Sequence, residues 1–149
     1  KAKEIHIVAE HGLHGPDFSG EAEAATNAML AEHPDLIGIW AVWDIPAIGV
    51  MNAIRHAGRT EMIMTTCDLG LKVAIEIARD GLVTGLSAQR PFDQGATEAL
   101  LAGYGLIDKP APAHVVISVL PVTSENVLDA WKAVYRQDPA PELVAALSQ

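Results

Sequence analysis

Cysteine is almost absent from this chain: Cys67 is the only one. That count excludes an internal disulfide and leaves the redox compartment undetermined. Basic residues are scarce too, 10 against 19 acidic, for a formal net charge of −9. The acids are spread along the chain without blocks, so a phosphate backbone finds no electrostatic source of affinity, and nucleic acid is not expected as a partner. Aromatics make up 5% of residues, too few for the series of stacking platforms that a long oligosaccharide wants. No apolar run approaches the ~20 residues needed to cross a bilayer, because DLIGIWAVW is cut off by Asp44 and Pro46. The G-x-S-x-G, G-x-x-x-x-G-K-[ST] and G-x-G-x-x-G patterns do not occur, which removes the usual hydrolase, P-loop and dinucleotide signatures. The chain starts at Lys1 without a charged-then-apolar leader, so we expect a processed chain or a piece of a longer one.

What is present is globular material: 149 residues, 50% apolar and 19% charged, enough for one ordinary domain with a core. Short β-rich runs alternate with segments of helical period, the pattern of βαβ units and a parallel sheet. EIHIVAE (4–10) reads as a first strand. Residues 19–32 read as a helix with Ser19 as N-cap and with Ala22, Ala25, Met29 and Leu30 on one face; His33-Pro34 stops it. Residues 36–42 are apolar almost throughout, as a central strand covered on both faces should be. Pro46 then opens a helix that Gly58 ends. EMIMTT (61–66) is a strand, 70–79 a helix, LVTGLSA (82–88) a strand, and Pro91 opens a helix over 92–104. Residues 108–113 form a proline-rich connector that excludes helix and interior strand. VVISVLPVT (115–123) predicts a further strand, Ser124 an N-cap ahead of a helix over 127–135, and 141–147 a short final helix.

In open α/β sheets ligands sit beyond the carboxyl ends of the strands. The residues there are Trp43-Asp44, Cys67-Asp68 and Gln89-Arg90, with Asp17-Phe18 after the first strand and loop. An aromatic face flanked by carboxylate, amide and guanidinium is suited to a polyhydroxylated ring or chain, whose C–H face lies on the ring while each hydroxyl needs a donor and an acceptor. Asp44 reads first as a helix cap ahead of Pro46 and second as a ligand contact. His11 and His14 make an H-x-x-H pair with Asp17 nearby, but the spacing in a glycine-rich loop carries no metal-site signature, and no metal is expected. Cys67 has no basic neighbour to make it a nucleophile.

The stretch AEHPDLIGIWAVWDIPAIGVMNAIRHAGRTEMIMTTCDLG, followed by IARDGLVTGLSAQRPFDQG and later PVTSENV, resembles the C-terminal half of type I periplasmic sugar-binding proteins, the ribose-type solute receptors of ABC importers, related in fold to LacI-type effector domains. The resemblance covers residues 4–130. It rests on HPD before a strand, a strand-end acid followed by a helix and A-G, a strand ending in Asp-x-G, Asp-Gly at a helix end, and Q-x-P-[FY]-x-x-G. It implies an α/β fold with an open parallel sheet and helices on both faces. Residues 1–90 would be the ligand-binding second lobe lacking its first strand and helix, 91–112 a helix and crossover packing on the first lobe, and 113–149 a return strand and C-terminal helices.

The resemblance also implies roles. Asp68 matches the acid that accepts hydrogen bonds from sugar hydroxyls, and Gln89 matches the amide on the hinge side of the cleft. Trp43 stands where the ribose-type pattern has Asn, which argues for more stacking and against plain ribose. Phe18, in a loop of different length, is matched to a ring-stacking aromatic, and Arg90 completes the candidate set. The implied protein is not an enzyme and takes no cofactor. It binds a sugar or polyol by hinge closure in the periplasm and delivers it to an ABC permease, with the N-terminal lobe supplied by a companion chain or by self-association. A LacI-type regulator is the first rival; an enzyme on a flavodoxin-like sheet using Asp44 and Asp68 is the second.

Overall fold

The structure, a computed structural model, describes residues 5–147. Its elements in chain order are α1 (Phe18–Glu32), β1 (Gly38–Trp40), α2 (Asp44–His56), β2 (Ile63–Cys67), α3 (Leu71–Ala78), β3 (Val83–Ala88), α4 (Pro91–Leu106), β4 (Leu120–Val122), α5 (Val127–Tyr135) and α6 (Pro141–Ala146). Each crossover follows from local chemistry. Pro46 sits in the first turn of α2, where its missing N–H costs nothing, and Gly58 past its end takes a left-handed φ of 68°. Asp80, φ 49°, makes the corresponding turn after α3, as short polar side chains in this region can.

The strands form one sheet in the order β1-β2-β3-β4. β1 pairs β2 in parallel with Ile39 opposite Met64, and β2 pairs β3 in parallel with Thr66 opposite Leu86. Met64 and Thr66 of β2 and Val83 and Leu86 of β3 are buried with Val50 and Ile54 of α2 and Val73 and Ile77 of α3, and Val127, Val134 and Leu143 extend that core under α5 and α6. Arg55 of α2 pairs with Glu76 of α3 at 2.6 Å across the top of this layer. Outside it, α1 packs on α2 at very short range: a Cβ at Gly49 would lie 1.9 Å from the Ser19 carbonyl oxygen. Asn52 donates to Glu23 across the same seam at 3.1 Å.

The α/β class and the βαβ run stand as expected, and several details differ. β4 is antiparallel to β3, with Leu86 opposite Val122, so the sheet is mixed; an apolar run carries no signal of its own direction. The expected strand at 4–10 is not formed over 5–10, where Ile5, Ile7 and Val8 are exposed; residue 4 lies outside the described residues. β-propensity makes a strand only where a ladder partner exists. Among the described residues β1 pairs with β2 alone and so stands at the edge of this sheet, where a central position was expected. Its Trp40 is 62% exposed, and Ile63 and Thr65 beside it are exposed as well. Among the described residues the helices of the core cover the face that carries Met64 and Thr66 and leave the opposite face of β1 and β2 bare. Only 120–122 of the predicted strand 115–123 is laddered. The caps shift as well: Asp17, not Ser19, caps α1 by accepting from Gly20 N at 2.9 Å, and Asn126, not Ser124, is the N-cap of α5.

α4 buries no residue. Pro91 and Asp93 start it as good first-turn residues, and polar contacts hold it to the body: Asp93 meets Arg136 at 2.8 Å, and the Arg136 guanidinium lies 5.9 Å from the Phe92 ring centre.

Two glycines test the packing in opposite senses. Gly49→Ala should lower stability by about 1–3 kcal/mol, because α1 must move off α2. Gly95→Ala, with open space around its Cβ on α4, should raise it by about 0.5–1 kcal/mol through helix propensity. Urea denaturation of the full-length variants reads both.

Candidate functional site

The C-terminal ends of β1, β2 and β3 point to one rim, and the residues that follow each strand stand on it. After β1, Trp43 is the extended N-cap of α2 (φ −157°, ψ −178°), so its indole stays at the rim, half-buried. Phe18, the first residue of α1, meets it edge to face, with ring centres 5.1 Å apart and planes at 71°, the geometry that aromatic quadrupoles favour. After β2, Asp68 keeps its N–H on the Ser87 carbonyl at 3.1 Å and takes φ 66°. As at Asp80, a short polar side chain tolerates this left-handed turn.

Asp44, the first residue of α2, reaches across to the start of α3. Its Oδ2 lies 2.0 Å from where a Cβ on Gly70 would be, so the glycine at that helix start makes room for the carboxylate. Burial, and then the charge of Asp68, push the Asp44 carboxyl above the usual carboxylate range. Tyr135, from α5, donates its hydroxyl to the Leu69 carbonyl at 2.6 Å. Burial, followed by the negative charges of Asp44 and Asp68, raises its phenol as well. Asp44, Asp68 and Tyr135 therefore lie within electrostatic reach of one another at the strand tips.

An open cavity of about 210 Å³ lies beside them, lined by Asp68, Leu69, Gln89, Pro91, Gln94, Val134 and Tyr135. Of the residues expected from sequence, Asp68 and Gln89 share this wall. Trp43 and Phe18 form their aromatic pair outside the cavity lining, with Asp44 bound to Trp43 by one peptide link on the way to Gly70. Gln89 Oε1 accepts from Gln94 Nε2 at 3.3 Å. Arg90 is engaged elsewhere: its guanidinium meets Asp93 at 2.5 Å, the carboxylate that also holds Arg136, and the hydrogen bond from Arg136 leads in holding Asp93 below the usual carboxylate range. The Arg90 Nε has no hydrogen-bond partner among the described residues.

Sequence reasoning missed Tyr135 and Gln94. Tyr135 reaches the rim across 66 positions of chain, and no local pattern signals that. Gln94 was visible as the second amide of QRPFDQG. Among the described residues no group of three His, Cys, Asp or Glu side chains could hold a metal ion; Asp17, near His11 and His14 in sequence, is occupied with capping α1.

This geometry can be set beside known proteins. The family model described as "Periplasmic binding protein domain" matches residues 1–106. The D-allose-binding periplasmic protein of Escherichia coli (strain K12) is 32% identical over 97 residues, which is 65% of this chain and 30% of that protein. An ABC transporter solute binding protein from Agrobacterium vitis, crystallised with allitol, superposes with a TM-score of 0.76 at 25% identity over 85% of this chain and 45% of its own. A periplasmic solute binding protein from Actinobacillus succinogenes 130z, with bound D-allose, gives 0.68 at 25% identity over 74% of this chain and 39% of its own. This chain thus spans less than half the length of each of these relatives. With the family model matched over more than half of its residues, the chain belongs to the periplasmic binding protein domain family.

Proposed function

We propose that this chain is part of the substrate-binding component of an ABC importer, and that it binds a neutral six-carbon sugar or hexitol without altering it and presents it to a permease in the periplasm. The observation that carries this is that Asp68 and Gln89, from the tips of adjacent strands, line one open cavity. A carboxylate accepts from hydroxyls, an amide both donates and accepts, and a ring takes the C–H face. The allose and allitol bound by the relatives supply the six-carbon choice. In this reading Trp43 and Phe18 stack and Asp68 and Gln89 hydrogen-bond the hydroxyls, while Arg90, expected from sequence as a further contact, is held by Asp93.

We further propose that residues 1–90 are the second lobe of a two-lobed receptor, that 91–112 pack on the first lobe, and that 113–149 return to the second. The surface supports this. Leu100, Leu106 and Ile107 in and after α4, Val116 and Val119 in the return segment, and Ile5 and Ile7 near the start are all exposed. A soluble receptor needs such surface covered, and the remaining half of the family's length is the cover of matching origin, as a companion lobe. Hinge closure of the two lobes on the ligand would then complete the site and create the shape that the permease reads.

A thermal-shift screen of the full-length protein against D-allose, allitol, ribose and other monosaccharides tests the function. A true ligand at 100 times its Kd should add about 2.7 kcal/mol to stability, and Asp68→Ala should abolish that gain. No shift with any sugar or polyol, or a shift that survives Asp68→Ala, defeats the assignment.

The carboxylate neighbourhood gives a second test, by pH. Because the folded state raises the Asp44 value, the stability linked to its protonated form is present below its unfolded value of about 3.9 and is lost as pH rises through the higher folded one. Asp44→Asn should therefore match the wild type near pH 3.5 and exceed it in stability at pH 7, as read by melting across that range.

A further inference from the structure

Glu21, in the first turn of α1, draws together two backbone N–H groups and two imidazoles from a loop that has no regular structure of its own. Its Oε2 accepts the backbone N–H groups of His14 and Gly15 at 2.8 and 3.0 Å. Its Oε1 lies 3.0 Å from His14 Nδ1 and 3.4 Å from His11 Nε2. This is more than a helix start requires, since Asp17 already caps α1 through Gly20. The contacts instead fix the loop over residues 11–16 in one place. The backbone N–H of His14, with the imidazole of the same residue next, holds the Glu21 carboxyl down at about 2, so it remains an anionic acceptor throughout the working pH range.

The loop in turn bears on the rim. Gly15 has φ +67°, and a Cβ there would fall 2.6 Å from Phe18 Cζ, so the bare Cα of the loop lies directly on the Phe18 ring. That ring is the one standing edge to face with Trp43. Glu21, Gly15, Phe18 and Trp43 form one chain of contacts from an exposed ion-pair cluster to the aromatic edge of the site.

We propose that Glu21 is a positioning residue for ligand binding: by clasping the loop it seats Gly15 on Phe18 and holds the Phe18–Trp43 pair in place before any ligand arrives. A ring already ordered does not lose that freedom on binding, and preorganisation of this kind raises affinity by lowering the ordering cost. The inference rests on the reading that Phe18 and Trp43 face the ligand. It adds that their geometry is set from outside the site, by a residue that touches no ligand.

The test uses the full-length protein, with two variants that break the chain at different links, Glu21→Ala and Gly15→Ala. In the ligand-free protein the nuclear Overhauser cross-peak between the Phe18 ring and the Trp43 indole should vanish in both, while the core methyl resonances stay in place. With D-allose as the probe, each variant should weaken affinity on the order of three- to tenfold. In a Phe18→Ala background Glu21→Ala should change affinity no further, because residues that act through one another are non-additive. A cross-peak that persists in Glu21→Ala overturns the proposal whether or not D-allose binds, and so does a Glu21→Ala penalty that is fully additive with Phe18→Ala. D-allose binding that Asp68→Ala leaves untouched, with the cross-peak gone in Glu21→Ala, would overturn the site reading and leave the clasp standing.

Discussion

The parallel run β1-β2-β3 is the constraint on which the rest of this structure depends. When neighbouring strands point the same way, each must be reached by a crossover, so every strand ends and every crossover helix begins on one rim. Trp43, Asp44, Asp68 and Gln89 are separated by up to 46 positions of chain, yet this rule alone brings them to one edge of the sheet. The same rule places the starts of α2 and α3 among the carboxylates. The partial positive charge of helix N-termini there favours anionic side chains, while burial and the Asp44–Asp68 repulsion oppose it and win at Asp44, whose carboxyl is pushed up and not down.

That geometry explains why parts of the protein are legible in its sequence and others are not. The residue after each apolar run could be located because strand ends are marked by turn and helix-start chemistry: Asp44 ahead of Pro46, Asp68 ahead of Gly70, Gln89 ahead of Pro91. The order β1-α2-β2-α3-β3 is readable for the same reason. What a strand pairs with is not local. EIHIVAE has the composition of a strand but no ladder neighbour among the described residues, and 115–123 has the same composition with only 120–122 paired. Residues 36–42 read as a covered, central strand, whereas among the described residues β1 stands at the sheet edge, because coverage depends on elements distant in sequence. Tyr135 escaped notice because its partner, the Leu69 carbonyl, belongs to another crossover. The choice between Asp17 and Ser19 as cap of α1 turned on a shift of register finer than periodicity resolves.

α4 obeys a different balance from the rest. The core helices are held by burial, with Ile54 of α2 fully buried and Ile77 of α3 almost so, whereas α4 contributes no buried side chain and is oriented by Asp93 between Arg90 and Arg136. Exposed ion pairs of this sort contribute little stability, but they do fix direction. A helix fixed in direction, with no fully buried side chain and with Leu100 and Leu106 exposed, has apolar surface left to pack on something else. In the proposed two-lobed receptor this suits an element that belongs to one lobe by sequence and to the other by packing, joined through residues 89–91 where the chain leaves β3.

The charge pattern at the rim also narrows what the proposed site can hold. The cavity wall carries Asp68 and two amides, Gln89 and Gln94, and no lysine or arginine, while the guanidinium groups of Arg90 and Arg136, each next in sequence to a lining residue, are both paired with Asp93. An anionic ligand would enter against Asp68 and Asp44 with no cation to offset it, and removing like charges from water together is costly. A neutral polyol meets the opposite situation, since its hydroxyls would donate to Asp68 and accept from the amides of the cavity wall. Hydrogen bonds to a charged acceptor contribute about 1.5–3 kcal/mol each. In the proposed site, the cost of burying charge would favour a neutral, hydroxyl-rich ligand over a charged one.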